Sequence, residues 1–590
     1  MLSLGGAMHK KINCLLICLA LGLGMGCRSR KESPAATQKL APEFSAFVDD
    51  YFNAFFDFNP TSGTAAGLHQ YNTLLENLST AAIQSRIQQQ KGFLARLNTL
   101  RAGTLHDADS IDAEILDGQI RAELLDFETI QSWKNNPMPY VAVAGNSIDS
   151  LMKRDFAPPS ERLRSVIARL KQIPSIYQAM RQNVSNPPKE FTDLAIRLTR
   201  GSKEFFEISV RQWAQKAAGP NEELFKEFEQ ANQPVIESLK KTEIWLKKDL
   251  LPNSKGNFAI GADAFARKLL YEEHVDIPIE QLLNIGEEKL EKDFNDFIET
   301  AKKIDPTMSP AAVMKSISDA HPKPSELIPF AKETVESIRQ FVLDKKIVTI
   351  PSMVLPTVTE TPLYQRSGSF ASMDSPGPFE TKATEAFYYI TPVEKDWDQQ
   401  RKEEHLRLFN RPVMDIITIH EAYPGHYLQF LYSKQFPTKT RKLVFCGTNV
   451  EGWAHYTEQM MLAQGFGNGD LKVKLAQLQE ALLRDCRYVV GIQLHVKGWT
   501  VEQGSDFIVE KAFEERANAY EEARRGAYNP TYLYYTLGKL MIYKLRDDYQ
   551  KAKGPAFTLE EFHTNFVKQG GIPLKFVREI LIPGDKGPVL

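Results

Sequence analysis

From Ala41 onward the apolar residues recur with the period of an α-helix, and few folds accept such a chain. Phe44, Phe47, Val48, Tyr51, Phe52 and Phe55 fall at the i, i+3, i+4, i+7 spacing of one helix face. Asn59-Pro60-Thr61 ends that run, because proline cannot continue a helix. Leu116, Ile120, Leu124 and Phe127 repeat the pattern, as do Leu163, Val166, Ile167 and Leu170 behind the start signal Pro158-Pro159-Ser160. Helical stretches continue around 176–216, 222–250, 262–274, 279–303 and 325–344, with no internal repeat. Between Lys345 and Pro392 the texture changes. Ile347-Val348-Thr349-Ile350 and Glu385 to Ile390 are β-branched or aromatic runs, which predicts two strands and a long loop. After Lys395 the helical pattern returns. The expected fold is mainly α: one large helical body over 41–590, with an N-terminal half at 41–344, a small sheet and loop at 345–392, and a helical part at 393–590 that carries the chemistry.

Composition narrows the function. Charged residues make up 25% of the 590 and the net charge is −2, so nothing points to nucleic acid as a partner. No phosphate-cradling glycine loop is present. Five cysteines, of which Cys14 and Cys18 lie in an apolar run, do not make a disulfide framework. Cys446 and Cys486 are read as two buried thiols, with a bridge between them as the alternative.

The N-terminus reads as an address. His9-Lys10-Lys11 precedes a short apolar segment, Ile12 to Gly26, which is too short to span a bilayer and fits a signal peptide over 1–26. Gly26-Cys27 resembles a bacterial lipoprotein cleavage site, with Gly24 standing where Leu is usual. Lipidation of Cys27, with a tether over 27–40, places the chain in the bacterial cell envelope, on the periplasmic or extracytoplasmic side, reaching the membrane only through that anchor.

The chemistry concentrates in His420-Glu421-Ala422-Tyr423-Pro424-Gly425-His426 and Glu451-Gly452-Trp453-Ala454-His455. Zinc catalysis needs three protein ligands and a carboxylate near the reacting water. In an unbroken helix an i,i+6 pair points about 120° apart, so His420 and His426 could not share an ion. Pro424-Gly425 forbids an unbroken helix, and the metal reading therefore requires a break there. His420, His426 and Glu451 are the predicted Zn2+ ligands, Glu451 following His426 by a spacing like that of gluzincin-type enzymes. Glu421 is the predicted general base. Gln429 and Glu458 are candidates to support the ligands, and His455 is a rival ligand.

The stretch 420–429, with Glu451-Gly452-Trp453-Ala454, resembles the family called domain of unknown function 885. The likeness continues at 494–500 and 535–540, and more weakly at 258–261. It implies bacterial proteins, often lipoproteins, grouped with gluzincin-like metallopeptidases, and a helical fold similar to neurolysin-type oligopeptidases and angiotensin-converting-enzyme-like carboxypeptidases. It further implies that His495 and Tyr535 stabilise negative charge on the attacked carbonyl. His455, Gly491 and the segment 525–532 depart from the family's usual residues. Arg525 is the candidate for a substrate carboxylate, with Tyr388 and Tyr534 beside it as substrate-binding residues. The run at 385–390 is expected to offer its edge to an extended peptide. The function these residues point to is a zinc-dependent peptidase acting on short or unfolded peptides, as a carboxypeptidase or an oligopeptidase. The alternatives are a lipid-anchored binding or scaffold protein with a decayed site, and a zinc amidohydrolase acting on non-peptide amides. Oligomeric state is not legible.

Overall fold

The apolar stripe that opens the helical part of the chain folds as its periodicity predicts. A computed structural model describes residues 41–590 except 104, 106, 367–369 and 586, and helix α1 (Pro42–Phe58) buries Phe44, Phe47, Val48, Tyr51, Phe52 and Phe56. The helix stops at Asn59, before Pro60, as proline requires. Most of the remaining chain is helical, and one continuous apolar core runs from Phe44 to Val577. The expected signal peptide, the tether and Cys27 lie outside the described residues. The described residues form one compact unit. Among the described residues no helix is long and apolar enough to cross a membrane.

The helices that frame the centre of the molecule are α2 (Gly261–Glu273), α3 (Ile279–Ile304), α4 (Arg411–Glu421), α5 (His426–Leu431), α6 (Gly447–Ala463), α7 (Leu471–Val496), α8 (Arg516–Tyr528) and α9 (Tyr534–Lys553). α6 lies along α9, α3 along α7, and α4 packs on both α6 and α7. Glycines permit the closest crossing. A Cβ on Gly452 of α6 would sit 2.6 Å from the Cα of Gly538 on α9, so neither position tolerates a side chain without the helices parting.

The sheet is small and differs from the sequence reading in two ways. Its strands are β1 (Thr357–Glu360), β2 (Ala371–Asp374) and β3 (Phe387–Ile390), in the order β1-β3-β2, with β1 parallel and β2 antiparallel to β3. Ile347–Ile350 is not a strand. Its backbone is held by side chains from distant helices: His563 Nδ1 lies 2.8 Å from the Ile347 carbonyl, Tyr432 donates to the Thr349 carbonyl at 2.7 Å, and the Thr349 N–H donates to Thr564 at 3.0 Å. β3, expected to present a free edge, is the central strand and has both edges paired. The edge beside the motif helices belongs to β2.

Candidate metal centre

The motif breaks where proline and glycine say it must. Asn410 caps α4 by accepting the Val413 N–H at 3.1 Å, and Pro412 occupies its first turn. The last α-helical bond runs from Ala422 N–H to Thr418 at 2.8 Å; Gly425 N–H then reaches back to the Ile419 carbonyl at 3.1 Å. A Cβ on Gly425 would overlap the His420 carbonyl oxygen, so only glycine lets the chain fold back this tightly. Trp453 closes the turn, its indole N–H donating to the Pro424 carbonyl at 2.9 Å. A new helix starts at His426, and the two imidazole rings come to 4.8 Å between centroids at 87°.

Glu451 arrives from α6. Its helix is fixed at the N-terminus by the buried Glu273, whose carboxylate accepts from the backbone N–H of Gly447 and Thr448, both at 2.8 Å, and from the Thr448 hydroxyl at 2.6 Å. A carboxylate there satisfies orphan donors and complements the helix dipole. Glu451 Oε2 lies 3.3 Å from His420 Nε2 and 3.4 Å from His426 Nε2. For donors about 2.0–2.1 Å from a shared tetrahedral ion, the edges of the tetrahedron are about 3.3–3.4 Å. His420, Glu421 and His426 also group, each offering an atom within 4.8 Å of the other two. Glu451 makes the shorter contact to both nitrogens, and it is the third donor of choice; Glu421 stands beside the group.

Hydrogen bonding behind His420 fixes which of its nitrogens faces Glu451. Glu458, fully buried, is held well below the usual carboxylate range: burial opposes this, but Arg484, His455 and His420 outweigh it. An ionised carboxylate only accepts, so His420 donates through Nδ1 at 2.8 Å and His455 through Nδ1 at 3.0 Å. With Nδ1 turned to Glu458, it is Nε2 that faces Glu451, and a neutral His420 would turn a lone pair toward that carboxylate. Two acceptors facing each other in a buried site need a cation or a proton between them. Burial alone would depress His420, but the hydrogen bonds it donates to Glu451 and Glu458 push it up to about 9, so without a metal a proton on Nε2 fills that place at neutral pH. His455 is pushed down to about 3 by burial and by Lys539, whose Nζ lies 3.3 Å from its Nε2. His455 thus props Glu458, with both its ring nitrogens engaged by Glu458 and Lys539. Gln429 donates to Asn449 at 2.8 Å, so its amide braces α5 against α6.

A cavity of about 1330 Å³ opens onto this group, walled by β2, α4, α7, α8 and the segment Leu194–Glu204. Glu421, Tyr535 and Arg525 all line it. Tyr535 lies 6.3 Å from His420 between ring centroids, and Arg525 donates to its hydroxyl at 3.3 Å. Three predicted residues are elsewhere. His495 is 1% exposed, sits between Phe258 and Phe265, and has Nε2 2.9 Å from the Gly526 carbonyl; it is a packing histidine with burial pushing it down to about 4. Tyr388 is wholly buried and its hydroxyl meets Thr418 at 3.2 Å, propping α4. Tyr534 packs on Gly447 and accepts from Asn529 at 2.7 Å, away from the cavity. Neither tyrosine lines the cavity, although the Tyr534 ring lies 4.9 Å from that of Tyr535, which does.

Sequence reasoning missed Arg484, Arg487, Lys539, Glu522 and Glu273. Their signal was charge inside otherwise apolar helices, as in Arg484-Asp485-Cys486-Arg487 on α7, where both flanks are buried. Cys446 and Cys486 are buried free thiols, each raised well above its usual range, chiefly by burial.

Two solved structures share this fold. One is a candidate lipoprotein of unknown function from Shewanella oneidensis, 28% identical, with a TM-score of 0.75, covering 92% of this chain and 100% of its own. The other is a candidate lipoprotein from Colwellia psychrerythraea, 18% identical, with a TM-score of 0.77, covering 91% and 98%. No curated protein matches the chain. The family model described as "Bacterial protein of unknown function (DUF885)" matches residues 60–581, and the chain belongs to that family.

Proposed function

We propose that this chain is a zinc-dependent peptidase that hydrolyses short or unfolded peptides in the bacterial cell envelope. One observation carries the reading: His420 Nε2, His426 Nε2 and Glu451 Oε2 converge at 3.3 and 3.4 Å, with the Glu421 carboxylate beside them at the end of a large cavity. Two imidazoles and a carboxylate form a donor set that suits Zn2+, and the ion would take the place of the proton that His420 Nε2 shares with Glu451. When bound, the ion supplies a Lewis acid that acidifies water and polarises a carbonyl.

The chain's own residues do the rest. Glu421 takes the proton of the attacking water and delivers it to the departing amine. Tyr535 donates its hydroxyl to the oxygen on which charge develops. Glu458 holds the His420 ring in one tautomer and one orientation. β2, the sheet edge in the cavity wall, is the strand this reading assigns to the substrate backbone. The mainly helical body with a sheet beside the motif helices supports the expected likeness to neurolysin-type peptidases. The description of the Shewanella relative as a candidate lipoprotein supports a lipid on Cys27.

The test is cleavage of a peptide mixture read by mass spectrometry, with Glu421→Gln as the control. New fragments from the native chain, absent with Glu421→Gln, are expected. Fragments that persist in Glu421→Gln would remove Glu421 from its role, and hydrolysis of amides without any peptide cleavage would favour an amidohydrolase.

A further inference from the structure

The arginines in the cavity wall are not equivalent. Arg487 forms a two-pronged pair with Glu522, at 2.7 and 2.9 Å. Arg484 pairs with Glu480 at 2.5 Å, and Arg524 pairs with Glu521. Arg525, between them on α8, has no carboxylate at salt-bridge distance among the described residues. Its partners are the Tyr535 hydroxyl and the face of Tyr532, 5.2 Å from the guanidinium. Glu522 is near enough for the two charges to be felt but makes no direct pair with Arg525, because its oxygens already accept from Arg487 twice and from the Tyr532 hydroxyl. Glu514, also in the wall, is pushed up to about 8 by burial and by Glu480 and Glu522, so at neutral pH it adds no negative charge.

An arginine left without its anion, facing a cavity, is a receptor for one. Tyr535 links it to the metal centre: its hydroxyl meets Arg525 at 3.3 Å and its ring lies 6.3 Å from that of His420. Allowing about 3 Å for the reach of the phenol, the guanidinium stands no more than about 13 Å from His420. Hydrogen-bond contacts at both ends take up about 6 Å of that, and an extended residue spans about 3.3–3.6 Å, which leaves room for at most about two residues.

We infer that Arg525 binds the free C-terminal carboxylate of the peptide, so that the enzyme is exo-acting and releases one or two residues from the C-terminus. This rests on the peptidase reading above and adds to it the substrate class and the direction of cleavage. The bond broken is the amide one or two residues from the end; water supplies the hydroxyl to the acyl side and the proton to the leaving amine.

Two measurements separate this inference from the reading it rests on. In the first, zinc-loaded Glu421→Gln protein, which cannot turn over, is titrated calorimetrically with Ala-Phe and with Ala-Phe amide. The free acid is expected to bind roughly 30-fold tighter or more, the scale of a charge-assisted pair. Adding Arg525→Met should abolish the preference, while Arg525→Lys, which keeps the charge but not the fork, should restore part of it. Equal binding of acid and amide, or binding of neither, overturns the inference. In the second, a ten-residue peptide and its C-terminal amide are given to the native enzyme. Loss of one or two C-terminal residues from the acid, with the amide cut roughly 30-fold more slowly, supports it. Internal cleavage of both at one rate keeps the peptidase and overturns the anchor. Selective binding of Ala-Phe with no hydrolysis of any peptide keeps the anchor and overturns the peptidase.

Discussion

Glu458 and His420 are joined by a 2.8 Å hydrogen bond between a carboxylate with no exposure and an imidazole 4% exposed. That bond decides which nitrogen of His420 faces Glu451. Replacing Glu458 by Gln removes the charge that holds the Nδ1 proton and one of the two carboxylates paired with Arg484. We expect zinc affinity to fall roughly 10–100-fold, measured by competition with a chelator of known affinity. An unchanged affinity would mean that the His420 tautomer is not set from behind.

The glycine crossing of α6 and α9 sets where Glu451 meets Tyr535. Gly452→Ala must push the helices apart, since its Cβ would lie 2.6 Å from Gly538 Cα. Overpacking of this kind costs about 1–3 kcal/mol, read as a shift in the urea midpoint. Gly425→Ala acts differently. The methyl would collide with the His420 carbonyl and open the turn that brings the two histidines together, so zinc binding should be lost with a smaller change in stability.

His495 tests the distinction between resemblance and position. It hydrogen-bonds the Gly526 carbonyl inside the core and does not line the cavity. His495→Gln should lower stability by about 1–2 kcal/mol and leave kcat/KM within about threefold, because no group that meets substrate has moved. A loss of several orders of magnitude with an intact fold would return His495 to the reaction.

Much of this was legible in one dimension. Helical periodicity from Phe44 to Phe55 needs only local sequence, and so does the prediction that Pro424-Gly425 must break the motif. His420, His426 and Glu451 were legible because their residue types and spacing carry the chemistry. What was not legible depends on residues distant in the chain. Ile347–Ile350 has strand composition, but Tyr432, His563 and Thr564 take its backbone groups. Tyr388 looked like an edge residue, and only the pairing of β1 and β2 to either side of β3 shows it to be central. Arg484 and Lys539 went unread because burial is not written in a residue's own letter.

Glu522 supplies a pH dependence. It is held down to about 2: burial opposes this, but Arg487 and Arg525 outweigh it. A carboxylate whose folded pKa lies below its unfolded value of 4.5 contributes stability that is present above pH 4.5 and is lost as pH falls through about 2. The whole contribution is on the order of 3 kcal/mol. Thermal melts of the native chain should therefore fall more steeply than those of Glu522→Gln between pH 4.5 and 2. Parallel curves would show that the Arg487 pair adds no net stability.

The most direct test of the metal centre is the zinc content of purified protein, native and Glu451→Ala, by mass spectrometry of the metal after dialysis against a weak chelator. The convergence of His420, His426 and Glu451 predicts close to one zinc per native chain and almost none in Glu451→Ala. A native chain that holds no zinc even after reconstitution, or a Glu451→Ala chain that holds as much as the native one, would contradict it.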